Sequence, residues 1–126
     1  VVYMLEPGRF REARGEREAR HRAPDAVRTR LYPDAVAARV FLTHTRPETS
    51  LGVLKPLATG AATVALGYTN HGGTLSVGGL LFVNRATWAH VLEAVARVTG
   101  LPRAALLTEA ELAALDRRAQ PVGVIV

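Results

Sequence analysis

The segment from Gly67 to His90, GYTNHGGTLSVGGLLFVNRATWAH, holds the densest set of side chains capable of chemistry in this chain. Five of the eleven glycines lie in it, interleaved with Tyr68, Asn70, His71, Thr74, Asn84 and Arg85. Glycine lets a backbone approach a ligand closely, and the phenol, amide, imidazole and guanidinium groups between the glycines can donate or accept hydrogen bonds. From Gly67 to Thr74 the spacing is that of a phosphate-binding loop, G-x-x-x-x-G-x-T, directly after a predicted strand. Gly73 stands where that loop's lysine would be, which removes the charge nucleotide hydrolysis needs. Backbone N–H groups of such a loop still suit an anion, with Arg85 beside them.

The histidines offer a second chemistry. His21, His44, His71 and His90 are too dispersed for a metal motif, and no carboxylate sits at ligand spacing from any of them. His44 and His71 each follow a predicted strand, and the carboxyl ends of strands face the functional crevice in open α/β sheets. A general acid/base pair there needs both rings at one cavity; the plainer reading makes both polar loop residues. Ser50 and Ser76 lack a nucleophile elbow, and cysteine is absent, so neither a serine triad nor a thiolate is supported. No catalytic, cofactor-binding or metal residue is assigned. His44, Tyr68, Asn70, His71, Thr74, Asn84 and Arg85 form the candidate interface or ligand-facing loop.

These residues need elements to position them. Val1 to Leu5, Val40 to Leu42, Ala61 to Leu66 and Val122 to Val126 read as strands. Residues 11 to 22 form a polar helix or loop, Pro24-Asp25 opens a short helix stopped by Pro33, and Glu48 to Leu57 is a helix interrupted by Pro56. Trp88 to Val98 is the clearest helix, with Thr87 as N-cap, an apolar stripe of Trp88, Val91, Leu92 and Val95, and Gly100-Leu101-Pro102 as its stop. Thr108 to Arg118 follows, Thr108 and Glu111 making a capping box. Strands alternating with helices predict a three-layer α/β/α sandwich around a mostly parallel, mixed sheet of about five strands.

With 126 residues, 48% of them hydrophobic, the chain fits one domain, residues 1–126, with residues 11–30 as an Arg/Glu-rich excursion. Residues 9 to 30 contain eight arginines and four acidic residues, +4 of the net +5, with opposite charges three or four apart, the pattern of a solvated helical face. Interleaved aromatics are too few for a nucleic-acid footprint. No apolar run approaches a membrane span. The opening Val1-Val2-Tyr3-Met4-Leu5 suits a strand entered from a preceding domain, so the chain reads as part of something longer.

Residues Val40 to Leu92 resemble the C-terminal domain of phosphoketolases, within the wider transketolase superfamily. That family has a strand of the type V-I-F-A-F-H, a strand ending in R-G-Y, a glycine and threonine loop, an asparagine, and a helix marked R-Y-H-L. Phe41 and His44 match the first strand, Gly67-Tyr68 the second, Gly73-Thr74 the loop, Asn84 the asparagine and His90 the helix histidine. Ser76 to Leu80 and Trp88-Ala89 depart from it, and the arginine-rich stretch and PVGVIV have no counterpart. The resemblance implies a non-catalytic C-terminal domain or subunit of a cytoplasmic, thiamine-diphosphate- and Mg2+-dependent enzyme acting on ketose phosphates. It implies that this chain binds no cofactor alone and packs against other domains or a larger subunit in a homo-oligomer, with no nucleic acid or membrane as partner. The alternative is a stand-alone anion- or sugar-phosphate-binding or protein-interaction module.

Overall fold

Val40 and Phe41 in ARVFL and Thr63 and Val64 in ATVAL, residue types that favour extended backbone, lie in two short strands, β1 (Ala38–Leu42) and β2 (Ala62–Leu66). They pair in parallel, in register from Ala38 opposite Ala62 to Leu42 opposite Leu66. Parallel neighbours cannot be joined by a tight turn, and the connection carries helix α3 (Pro47–Val53), begun at Pro47 where a missing N–H costs nothing. The computed structural model describes residues 1–57, 62–69 and 75–126, and they make a mixed α/β arrangement around this two-stranded parallel sheet.

Before the sheet lie a 3-10 turn (Pro7–Phe10), α1 (Glu16–His21) and α2 (Asp25–Leu31). Their acidic residues pair with arginines: Glu18 with Arg11 and Arg14, Glu16 with Arg20, and Asp25 with Arg28. The Arg14 N–H and guanidinium hold the Glu18 carboxyl below the ordinary carboxylate range. The stretch is therefore a charge-laced surface folded back on the domain. Arg9 donates to the His21 carbonyl, and Phe10 meets Tyr32 edge-on at 5.3 Å.

After β2 come α4 (Val77–Val83), α5 (Trp88–Thr99), a 3-10 turn (Arg103–Ala105) and α6 (Glu109–Leu115). Local chemistry fixes the ends of the last two helices. Thr87 accepts from the His90 N–H, and Gly100 closes α5 at φ 71°, a left-handed conformation that glycine adopts without a Cβ clash. Thr108 and Glu111 complete a reciprocal capping box at α6. Helix α5 packs on both strands and against α6. The core comprises Ala89, Leu107, Leu112, Ala114 and Ile125, with Phe82 and Leu92 against it. Burying Ile125 almost completely contributes about 1.5–3 kcal/mol.

The described sheet has two strands where about five are expected, two expected strands are not formed, and one helix appears that the sequence does not announce. Val1–Leu5 is not a strand: Val1, Tyr3 and Leu5 are largely exposed, and the segment borders β1 without joining the ladder. Val122–Val126 forms turns, because Ile125 finds its apolar partners among helices rather than on a sheet edge. No helix is expected from the sequence between β2 and Trp88, yet α4 (Val77–Val83) forms there. Ser76 caps it, accepting the Gly79 N–H at 3.1 Å. Gly78 lets Val126 lie against it, since a Cβ at that position would stand 2.0 Å from the Val126 Cγ1.

Candidate functional site

Because β1 and β2 run in parallel, their carboxyl ends open on the same side. The backbone stitches them together beyond the sheet: the Thr43 N–H donates to the Leu66 carbonyl at 3.0 Å, and the Tyr68 N–H to the Thr45 carbonyl at 2.9 Å. Gly67 is required at this seam by space alone. A Cβ there would lie 2.2 Å from the Thr45 carbonyl oxygen and 2.9 Å from the Thr43 methyl. His44 and Tyr68 consequently line one cavity of about 450 Å³, with Leu42, Thr43, Leu81 and Ala86 completing its wall.

Asn84 has a different role from the one its type suggests. Its Oδ1 accepts the Thr69 N–H at 2.7 Å, and its Nδ2 donates to the Leu80 carbonyl at 2.8 Å, fastening the loop after β2 to the end of α4. Asn70, His71 and Thr74 lie outside the described residues. Among the described residues the cavity wall holds one imidazole and one phenol but no carboxylate to orient His44. The Thr43 hydroxyl is engaged with the Thr45 hydroxyl at 3.1 Å. Among the described residues this arrangement has no nucleophile with a base beside it. No group of three or more His, Cys, Asp or Glu among them is placed to hold a metal ion.

Arg85 belongs to a second cluster, which spacing alone did not single out. Its backbone sits at φ 55°, a left-handed conformation uncommon for a residue with a side chain. It donates to Glu93 Oε2 at 2.5 Å. Arg103 bridges Glu93 Oε1 at 2.8 Å and both oxygens of Asp116 at 2.9 and 3.0 Å. Its guanidinium draws the Asp116 carboxyl below the ordinary range. Arg85, Glu93, Arg103 and Arg97 surround a cleft of about 400 Å³ that reaches Leu66 at the end of β2. The sequence signal was present: His90, Glu93 and Arg97 recur at helical spacing along one face of α5.

His90 forms the back wall of that cleft. It is buried, with Nδ1 2.7 Å from the Thr87 hydroxyl and its ring 5.5 Å from Phe82. Burial lowers its pKa first, the Arg85 cation adds to that, and Glu93 opposes both. Burial thus disfavours the imidazolium, and the ring packs on Phe82 and meets Thr87 at the start of α5.

What the fold and these two clusters define is an α/β chain with a strand-end cavity and an arginine-lined cleft. Comparison with models of known protein families, with curated proteins and with solved structures finds no match to it.

Proposed function

We propose that the chain is a non-catalytic domain or subunit of a thiamine-diphosphate-dependent, transketolase- or phosphoketolase-like enzyme acting on ketose phosphates, where it packs against neighbouring domains and helps to build a dimer. The observation that carries this reading is an uncovered apolar face. Trp88, Val91, Leu92 and Val95 of α5 look across a cavity of about 670 Å³ toward β1 and the amino-terminal segment. Leu42 is 53% exposed and Trp88 47%. Contiguous apolar surface of this kind suits a face that a partner covers. The motifs Phe41–His44, Gly67-Tyr68, Asn84 and His90 add the family to the reading.

Among the described residues the sheet has two strands, and Val1–Leu5 borders β1. In the family's three-layer arrangement, a sheet of about five strands would be built around such a pair. Glu18, Glu93 and Asp116 each face arginines, which disfavours a magnesium ion at any of the three. On this reading thiamine diphosphate and Mg2+ are held by other domains of a cytoplasmic parent enzyme. No helix of the described residues is long and apolar enough to cross a membrane.

Native mass spectrometry of source extracts tests the reading. The chain is expected inside a polypeptide or assembly far heavier than 13.5 kDa, and Trp88→Glu should weaken the association. A stable free 13.5 kDa monomer in those extracts overturns it.

A further inference from the structure

We propose that the cleft between the end of β2, helix α5 and the Arg103–Ala105 turn is a binding site for a phosphate dianion, with Arg97 and Arg85 as its direct ligands. The inference is independent of the assembly reading. It begins with charge. The wall carries Arg85, Arg97 and Arg103 against the single carboxylate of Glu93. Asp116, outside the wall, takes both terminal nitrogens of Arg103, so the cationic excess left in the cleft is that of Arg97 and the uncommitted part of Arg85. A phosphate, at about −1.5 to −2 near neutral pH, supplies the missing counter-charge and has oxygens enough to meet both guanidinium groups.

Donor accounting selects the ligands. Glu93 is only 19% exposed and takes Arg85 on one oxygen and Arg103 on the other. Arg103 also grips Asp116 with both terminal nitrogens, so it contributes field rather than free donors. Arg85 commits one terminal nitrogen and keeps the rest of its fork available. Arg97 has no ion pair among the described residues, although it faces the same space. Two guanidinium forks converging on one cleft are suited to tetrahedral oxyanions. Leu66, Ala94 and Leu101 complete the lining of the cleft behind them.

The test is a phosphorus NMR and calorimetric titration of the full chain at about 0.01 M ionic strength, where electrostatic attraction stays largely unscreened out to about 30 Å. Inorganic phosphate and glycerol phosphate are the two probes. Saturable binding is expected, tighter for whichever form the cleft has evolved to hold. Arg97→Ala and Arg85→Ala should each weaken it about tenfold, the loss of one charge-assisted hydrogen bond. Arg17→Ala, which removes the same charge from α1, should leave it unchanged. Absence of saturable binding by both probes overturns the site. So does equal weakening by Arg97→Ala and Arg17→Ala, which would mean attraction to net charge. Because Arg97 is exposed, its variant keeps the native circular dichroism and the comparison stays valid.

Discussion

Replacing Gly67 with alanine should destabilise the chain by about 2–3 kcal/mol, and the figure can be built from the seam between the strand ends. The added Cβ would stand 2.2 Å from the Thr45 carbonyl oxygen, 2.9 Å from the Thr43 Cγ2 and 3.0 Å from the Pro47 Cδ. The nearest of these is backbone, so no rotamer change relieves it; the two loops must part by about 1 Å, an overpacking strain of about 1–3 kcal/mol. Parting them stretches the bond from the Tyr68 N–H to the Thr45 carbonyl, worth about 0.5–1.5 kcal/mol. The lower entropy of an unfolded chain carrying alanine returns about 0.4–1 kcal/mol. Urea denaturation followed by tryptophan fluorescence and circular dichroism measures the difference. With a slope of about 2 kcal/mol per molar, the midpoint should fall by about 1–1.5 M at unchanged slope. Gly52 supplies the opposite sign: it lies inside α3 with nothing within 4 Å of its would-be Cβ, so Gly52→Ala should stabilise by about 0.5–1 kcal/mol. A Gly67→Ala loss below about 0.5 kcal/mol would refute the close approach, and with it the seam that brings His44 and Tyr68 to one cavity.

Gly78→Ala should cost about 1–2 kcal/mol through its collision with the Val126 side chain, and Val126→Ala in the same molecule should restore most of that. A double-mutant cycle with no coupling would show that the carboxyl-terminal turn does not rest on α4. His90 sets a pH dependence. Its folded pKa lies below the unfolded value of about 6.5, so the unfolded chain binds the extra proton first; the contribution is complete above that value and is lost as pH falls toward the folded pKa. Stability measured from pH 7 down to pH 5 should therefore decline, and His90→Gln should flatten that part of the decline even if its overall stability is lower; an unchanged profile contradicts burial as the cause.

The parts of the fold written in local chemistry were readable in advance. Thr87 and Gly100 bound α5, Thr108 and Glu111 open α6, and Val40–Leu42 and Ala62–Leu66 lie in the expected strands, because caps and short β-branched runs act within a few residues. Helix α4 escaped notice because Gly78 and Gly79 depress helix propensity, while the compensating Ser76 cap and the Val126 contact draw on geometry outside the segment. Val1–Leu5 and Val122–Val126 have strand composition, but composition reports a tendency to bury rather than a partner to pair with. The candidate site divides in the same way. His44 and Tyr68 were foreseeable as strand-end residues. Asn84 became a fastener through Thr69, fifteen residues away, and Arg85 became part of an ion network through Glu93 and Arg103, links that only the packed chain creates.

Arg39 ties the arginine-rich region to the rest of the molecule. It is 8% exposed, its Nη2 donates to the Pro33 carbonyl at 2.7 Å and to the Tyr32 carbonyl at 3.3 Å, and its Nη1 is buried without an acceptor. A guanidinium placed at the carbonyl end of α2 is stabilised by aligned peptide dipoles instead of a carboxylate. The consequence is a coupling: the carboxyl end of α2 takes this cation from β1, so loss of the Arg39 side chain removes it from the end of α2 and leaves the Tyr32 and Pro33 carbonyls without this donor.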